Sequence, residues 1–270
     1  LLDGAQKIDQ LVNTIDDLNM DAVALTEHGN MFSVLPYYKQ AKKAGIKPII
    51  GCEIYVAVGS RFEKKTRSDG GWGNNHLILL AQNFTGYKNL MKLVTAGYLE
   101  GFYYRPRIDM DLLREYSEGL ICMSACLKGV VPEKMLKGDY EGARKEALLF
   151  SEIFQDRYYL EIQNHGIPEE EQNLKNMKKL SQDLNLPLVC TNDAHYAKKE
   201  HWEAHDIHIC LGTGKERSDP NRLRYATPEF YFKTQDEMHE LFKEFPGAIE
   251  NTRKIADSIE YKVPPTIDDP

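Results

Sequence analysis

Short, continuously apolar runs recur along this chain, and most are followed by a stretch whose apolar side chains repeat at helical spacing. The first run covers 22–26, after which Leu35, Tyr38 and Ala41 share one face of a helix over 35–43. Strands are expected at 47–56 and 76–80, with a helix near 87–98 behind the second. A fourth strand at 120–124 precedes a helix over 140–154, in which Ala143, Ala147 and Phe150 line one side. A fifth at 158–162 leads into a helix from 169 to 185, and a sixth at 186–191 into a helix over 201–210. Between 60 and 75 the chain is polar, contains Gly70, Gly71 and Gly73, and reads as a loop.

Strands that are apolar throughout and alternate with helices predict a parallel sheet covered on its faces by helices. An open doubly wound sheet gathers its functional residues at one switch point, whereas in a barrel every strand end feeds one rim. Here six strand-like runs stop at, or start from, a residue able to bind a metal, which favours a barrel of about seven βα units, its first strand lying before Leu1. Residues 1–215 are assigned to this TIM-like barrel. Residues 216–263 form a small appended C-terminal α+β lobe, with a short strand at 230–232 and helices at 235–243 and 248–259. Residues 264–270, rich in proline and aspartate, have the composition of a linker.

The 270 residues carry 34 Lys and Arg against 41 Asp and Glu, a net charge of -7. Such a balance gives no global attraction to nucleic acid or to an anionic membrane, so phosphate binding has to be local. No run approaches the roughly 18 apolar residues of a membrane span, and the start, Leu1-Leu2-Asp3-Gly4, has neither an initiator Met nor a signal-peptide pattern. The expectation is a cytoplasmic protein with no membrane partner, seen as a fragment of a longer chain. Five cysteines, most of them in apolar runs, are expected to be reduced thiols.

Candidate chemistry sits at the strand ends. His28 lies just past the first strand, at a turn opened by Gly29. Glu53 falls inside an apolar strand, where a carboxylate is either paired, metal-bound or turned to solvent. Asp193 and His195 are two apart in an extended run, so both can reach one metal or two adjacent ones; the same pattern also fits a surface turn. Cys126, before a Lys-Gly turn, is placed either as a ligand or as core. His76 starts its strand, the wrong end for the rim, and the pattern alone leaves it out. His165 ends the fifth strand and is placed to touch substrate. His201, His205 and His208 form a helical stripe without a carboxylate in zinc-protease spacing and read as an amphipathic helix. Mixed imidazole, carboxylate and thiolate donors suit zinc, manganese or iron, and point to metal-assisted phosphoester hydrolysis. Arg105 and Arg107, behind Phe102, Tyr103 and Tyr104, combine guanidinium forks for phosphates with rings that stack bases, or else form a solvated loop.

Five segments together resemble a known family: Leu1-Leu2-Asp3-Gly4-Ala5, the run from Ala24 to Asn30, the run from Gly45 to Glu53, Phe102 to Arg107, and Thr191-Asn192-Asp193-Ala194-His195-Tyr196. In order and spacing, from Leu1 to about Val263, they are similar to the N-terminal PHP (polymerase and histidinol phosphatase) domain of bacterial replicative DNA polymerase III alpha subunits. The resemblance implies a distorted (βα)7 barrel holding up to three divalent metals. It implies ligand roles for Asp3, His28, Glu53, His76, Cys126, Asp193 and His195, with His195, Asp193 and His28 nearest the chemistry. His76 is thereby restored and Cys126 raised to a ligand. The family's opening His-x-His is absent from this chain, so two of the nine ligands the resemblance implies are missing. The implied activity is 3′-5′ exonuclease proofreading at a DNA primer 3′ end, with Arg105, Arg107 and His165 on the substrate. The implied partners are the remaining polymerase domains and the proofreading and clamp subunits of the holoenzyme. A structural brace for the polymerase, and a small-molecule phosphatase or pyrophosphatase, are the alternatives.

Overall fold

A computed structural model describes residues 3–65 and 73–260. The expected linker at 264–270, residues 66–72 of the polar loop and residues 261–263 of the expected lobe lie outside the described residues. In chain order the elements are α1 (Ile8–Asp17), β1 (Ala22–Leu25), α2 (Val34–Lys43), β2 (Lys47–Ala57), β3 (Asn74–Ala81), α3 (Phe84–Leu99), β4 (Arg107–Ile108) and α4 (Met110–Glu115). They continue with β5 (Leu120–Met123), α5 (Val130–Leu136), α6 (Tyr140–Phe154), β6 (Tyr158–Ile162), α7 (Pro168–Leu184), β7 (Leu188–Cys190), α8 (Trp202–Thr213), α9 (Gln235–Leu241) and α10 (Pro246–Ser258). The expected strand at 230–232 reduces to a single bridge between Tyr196 and Tyr231.

The sheet runs β1-β2-β3-β5-β6-β7, with β4 also on β2. Strand β3 runs antiparallel to both neighbours, while β1 with β2, β5 with β6 and β6 with β7 are parallel. The expectation of a wholly parallel sheet is corrected at this one strand. Its consequence is local: reversing β3 brings its first residues, not its last, to the rim where the other strands end.

Alternation along each strand divides the apolar residues between two cores. Ile50, Cys52, Ile54, Leu77, Leu79, Cys122, Leu160 and Cys190 face outward and pack under α2, α3, α6 and α7 in the larger cluster. Ile49, Ile78, Leu80, Ile121, Met123 and Val189 face inward, where Ile255 of α10 and Ile259 just beyond it close the floor. Above that floor the same inward register reaches Glu53, His76, Glu161 and Thr191. The curled sheet is thus a half-barrel that is apolar below and polar at its rim, the distorted TIM-like barrel expected. Among the described residues β1 and β7 are its two edges and do not pair with each other.

Candidate metal centre

The His28 turn continues β1 alongside β2. Glu53 N–H donates to Glu27 O at 3.0 Å and Gly29 N–H to Glu53 O at 2.8 Å, a parallel bridge that sets His28 beside Glu53. Gly29 is required there: its φ is +67°, and a Cβ would lie 2.8 Å from both Pro106 Cγ and Tyr55 Cε2. In the register of β2 and β3, Tyr55 faces His76 and Glu53 faces Ile78, so Glu53 and His76 are diagonal neighbours on the inward face. Their side chains meet, with His76 Nδ1 3.1 Å from Glu53 Oε1. The rim rule presumes parallel strands, and the antiparallel β3 brings His76 to the rim.

The remaining donors arrive from the next strand ends. Cys126 follows β5 and Ala125, whose φ of +63° turns the chain sharply; its Sγ lies 3.6 Å from His76 Nδ1. Asp193 follows β7, itself in the left-handed region at φ +42°. His195 then donates from Nδ1 to Asp193 O at 2.8 Å, and because a carbonyl only accepts, Nε2 keeps its lone pair for a ligand. The segment bearing Asp3 is laced to this turn by Ala5 N–H to His195 O at 2.8 Å and Gln6 Nε2 to Ala194 O at 3.3 Å.

Donor atoms of Asp3, His28 and His195 all lie within 4.8 Å of one another. His28 joins this trio to the deeper group, with Nε2 3.2 Å from Asp3 Oδ1 and Nδ1 2.8 Å from Glu53 Oε1. The seven candidate ligands therefore form one connected set, Asp193 through its Oδ1 at 3.8 Å from His195 Nδ1. Burial lowers the His28 pKa, but its bonds to Asp3 and Glu53 outweigh that and hold it up at about 11. Burial raises the carboxyls of Asp3 and Glu53, and the imidazoles around them outweigh it, holding both low. Without a cation His28 is thus an imidazolium between two carboxylates. Burial pushes the Cys126 thiol well up, so it needs a cation beside it to act as a thiolate. Four carboxylate or thiolate groups and the imidazoles of His28 and His195 line a cavity of about 410 Å³, and His76 joins them through Glu53 and Cys126; such a donor set fits divalent transition metals.

Three expected substrate residues fare differently. Arg105 is exposed at the rim, its guanidinium 5.6 Å above the Tyr55 ring. Arg107 is 1% exposed and spends its donors on Gly101 O at 3.0 Å, Arg61 O at 3.2 Å and Glu63 O at 2.9 Å. It staples loops together and presents no fork to a phosphate. His165 is also buried, bonded at 2.7 Å to Glu170 Oε1 and at 2.8 Å to Asn192 O, with its ring stacked on Phe230. It braces the turn ahead of Asp193 and is closed to substrate.

The structure adds two residues that sequence reasoning passed over. Glu161 is buried at the inward end of β6, where it accepts from Ala125 N–H at 2.9 Å and from the Thr191 hydroxyl at 2.5 Å. One carboxylate so ties the turns that carry Cys126 and Asp193. Burial, helped by the charge of Asp193, raises its pKa to about 7 against the hydrogen bonds it accepts. Its signal was the one used for Glu53, a carboxylate inside an apolar strand. His205, read as part of an amphipathic helix, is buried with Nε2 2.5 Å from Asp3 O, and so positions a ligand. Tyr225 packs beside it, 4.8 Å from the His195 ring.

An inward-facing cluster of histidines, carboxylates and one cysteine at the mouth of a distorted α/β half-barrel is the arrangement of a PHP domain. The sequence matches the PHP domain model over residues 1–165, and the chain belongs to that family. Among full-length proteins it is 51% identical over 260 residues to the DNA polymerase III subunit alpha of Borreliella burgdorferi, covering 96% of this chain and 23% of that one. The alpha subunit of Treponema pallidum is 46% identical over 265 residues, with 98% and 23% covered. This chain therefore spans under a quarter of the length of the curated relatives it matches. A two-domain protein from Bacteroides vulgatus, described as containing a predicted PHP-like metal-dependent phosphoesterase, overlaps with a TM-score of 0.42 at 17% identity, over 80% of this chain and 53% of that one. Among the described residues no helix is long and apolar enough to cross a membrane.

Proposed function

We propose that this chain is the metal-dependent phosphoesterase module of a bacterial replicative DNA polymerase III alpha subunit, and that it removes nucleotides from a primer 3′ end as a 3′-5′ proofreading exonuclease. The observation that carries the reading is the convergence of six donors, from segments as far apart as Asp3 and His195, on one cavity, with His76 joined to them through Glu53 and Cys126. Asp3, His28, Glu53, His76, Cys126, Asp193 and His195 would hold up to three divalent cations, of zinc, manganese or iron. Cations held there would neutralise phosphoryl charge and lower the pKa of water toward neutrality.

The chain's own groups do the rest. Glu53 orients His28 and His76 together, and the Asp193 carbonyl fixes the His195 tautomer. His28 has to surrender the proton it shares with Asp3 and Glu53 before it can ligate, so loading the site releases a proton. Arg105 at the mouth meets the incoming phosphates. The polymerase's remaining domains, and its proofreading and clamp subunits, are the partners this reading implies, in the cytoplasm where replication takes place.

The test is a 5′-labelled primer carrying a 3′ mismatch, incubated with manganese or zinc and either the chain or its His195→Ala variant. Stepwise loss from the 3′ end, reduced about 100-fold or more in the variant, is expected. Equal cleavage by both proteins would defeat the reading. Absence of cleavage by either, with the variant destabilised, would leave a structural brace in its place.

A further inference from the structure

Near the candidate metal site, three aromatic side chains form a row that is left exposed among the described residues. Phe32 is 70% exposed, Phe102 49% and Tyr98 36%. The Phe32 and Tyr98 rings are 6.4 Å apart, and those of Tyr98 and Phe102 are stacked at 6.2 Å. Leu99, 80% exposed, borders the row. Phe62, under the guanidinium of Arg61, is joined to it through the bond from Arg61 Nε to Glu100 Oε2 at 2.7 Å. Contiguous exposed apolar surface of this kind marks an interaction site more often than a structural need.

Two connections place the row at the site's mouth. Phe32 N–H donates to Asn30 Oδ1, and Asn30 Nδ2 to His28 O, both at 3.1 Å. On the other side Pro106 wedges between Gly97 of α3 and Gly29, the residue after His28. Arg105 sits above Tyr55, whose ring meets that of His76 edge-on at 5.3 Å. Around the row Glu63 and Glu100 are engaged by Lys65 and Arg61, and Glu27 accepts from the N–H and hydroxyl of Ser33. Lys64 and Arg105 remain, with no carboxylate partner among the described residues, in a chain whose net charge is -7.

We infer that Phe32, Tyr98 and Phe102 are a stacking platform for unpaired nucleotides, with Arg105 and Lys64 on their phosphates, guiding a single DNA strand to the donors around His28 and His76. Exposed rings beside cations recognise the π-faces of bases, which a duplex hides and a frayed or mismatched end offers. The platform gives the proposed exonuclease its substrate class and rests on that reading for its purpose, but binding can be measured without catalysis.

A labelled oligothymidine is titrated with the chain in EDTA, followed by fluorescence anisotropy, alongside blunt duplex DNA. Phe32→Ala and Phe102→Ala are expected to raise the single-strand Kd roughly tenfold each, while Phe102→Trp restores it. Phe84→Ala, an exposed ring at the opposite end of α3, serves as the control and binds like the parent. Arg105→Ala lowers the slope of log K against log salt by about 0.7. Equal affinity for all variants, no single-strand binding by the parent at low salt, or equal preference for blunt duplex would overturn the inference. Ring-dependent binding without any hydrolysis in metal would sustain the platform and sink the exonuclease. Hydrolysis of a small phosphodiester without strand binding would do the reverse.

Discussion

Replacing Glu53 with Gln tests how the donors are held before a metal arrives. Glu53 is 5% exposed, and its Oε1 alone accepts from His28 at 2.8 Å and lies 3.1 Å from His76. Lifting His28 from 6.5 to about 11 corresponds to about 6 kcal/mol of favoured imidazolium. Asp3 and Glu53 share that effect, so neutralising Glu53 costs about 3 kcal/mol, in line with breaking a buried pair from one side. In a chain of this size that lowers Tm by roughly 6 to 12 °C. The sign with pH follows from the direction of the shift. A raised histidine contributes stability that is complete below about 6.5 and is lost as pH climbs through about 11. Urea unfolding of both proteins in EDTA should therefore show the full difference at pH 6 to 7 and a shrinking one only in alkali. A difference under about 1 kcal/mol, or one that vanishes by pH 8, would refute the buried His28 pairing.

Glu161→Gln should remove a pH dependence of the same sign in a lower window, because a carboxyl raised from 4.5 to about 7 destabilises the fold increasingly as pH rises through that interval. In EDTA the parent is expected to lose about 3 kcal/mol relative to the variant between pH 4.5 and 7.5, and parallel profiles would contradict it. Gly29→Ala forces a Cβ onto Pro106 and Tyr55 at a positive φ, so the His28 turn shifts; metal affinity measured by calorimetry should fall about tenfold or more, and unchanged affinity would count against the packing described. Arg107→Lys cannot reach three carbonyls at once and should cost about 2 kcal/mol of stability. A loss of primer cleavage without that loss of stability would return Arg107 to the substrate path.

Of the candidate site, His28, Glu53, Asp193 and His195 were legible because they interrupt apolar strands at their ends, a pattern that carries its own physical cost and so needs a reason; Asp3, His76 and Cys126 entered through the family resemblance. Strands 22–26, 47–56, 120–124, 158–162 and 186–191 all formed within a few residues of where the pattern placed them. What apolarity cannot encode is strand direction: β3 is as buried as its parallel neighbours, so nothing in its composition revealed that His76 stands at the rim. Helix α1, whose Leu11, Val12 and Ile15 repeat on one face, was not among the expected elements. For Arg107 and His165 the residue type misled: both are placed beside the site in sequence, and both are used up by backbone carbonyls or Glu170. Partners of that kind come from loops distant in the chain and leave no periodic trace.

Everything functional turns on whether the donors around His28 hold cations. Metal content after equilibration with manganese or zinc and exhaustive dialysis, determined by atomic emission for the chain and for His28→Ala, addresses this directly. At least one tightly held cation per chain, lost on removing the imidazole that joins the Asp3 and Glu53 groups, is the expected result. A parent chain that retains no metal, or a variant that retains as much as the parent, would contradict it.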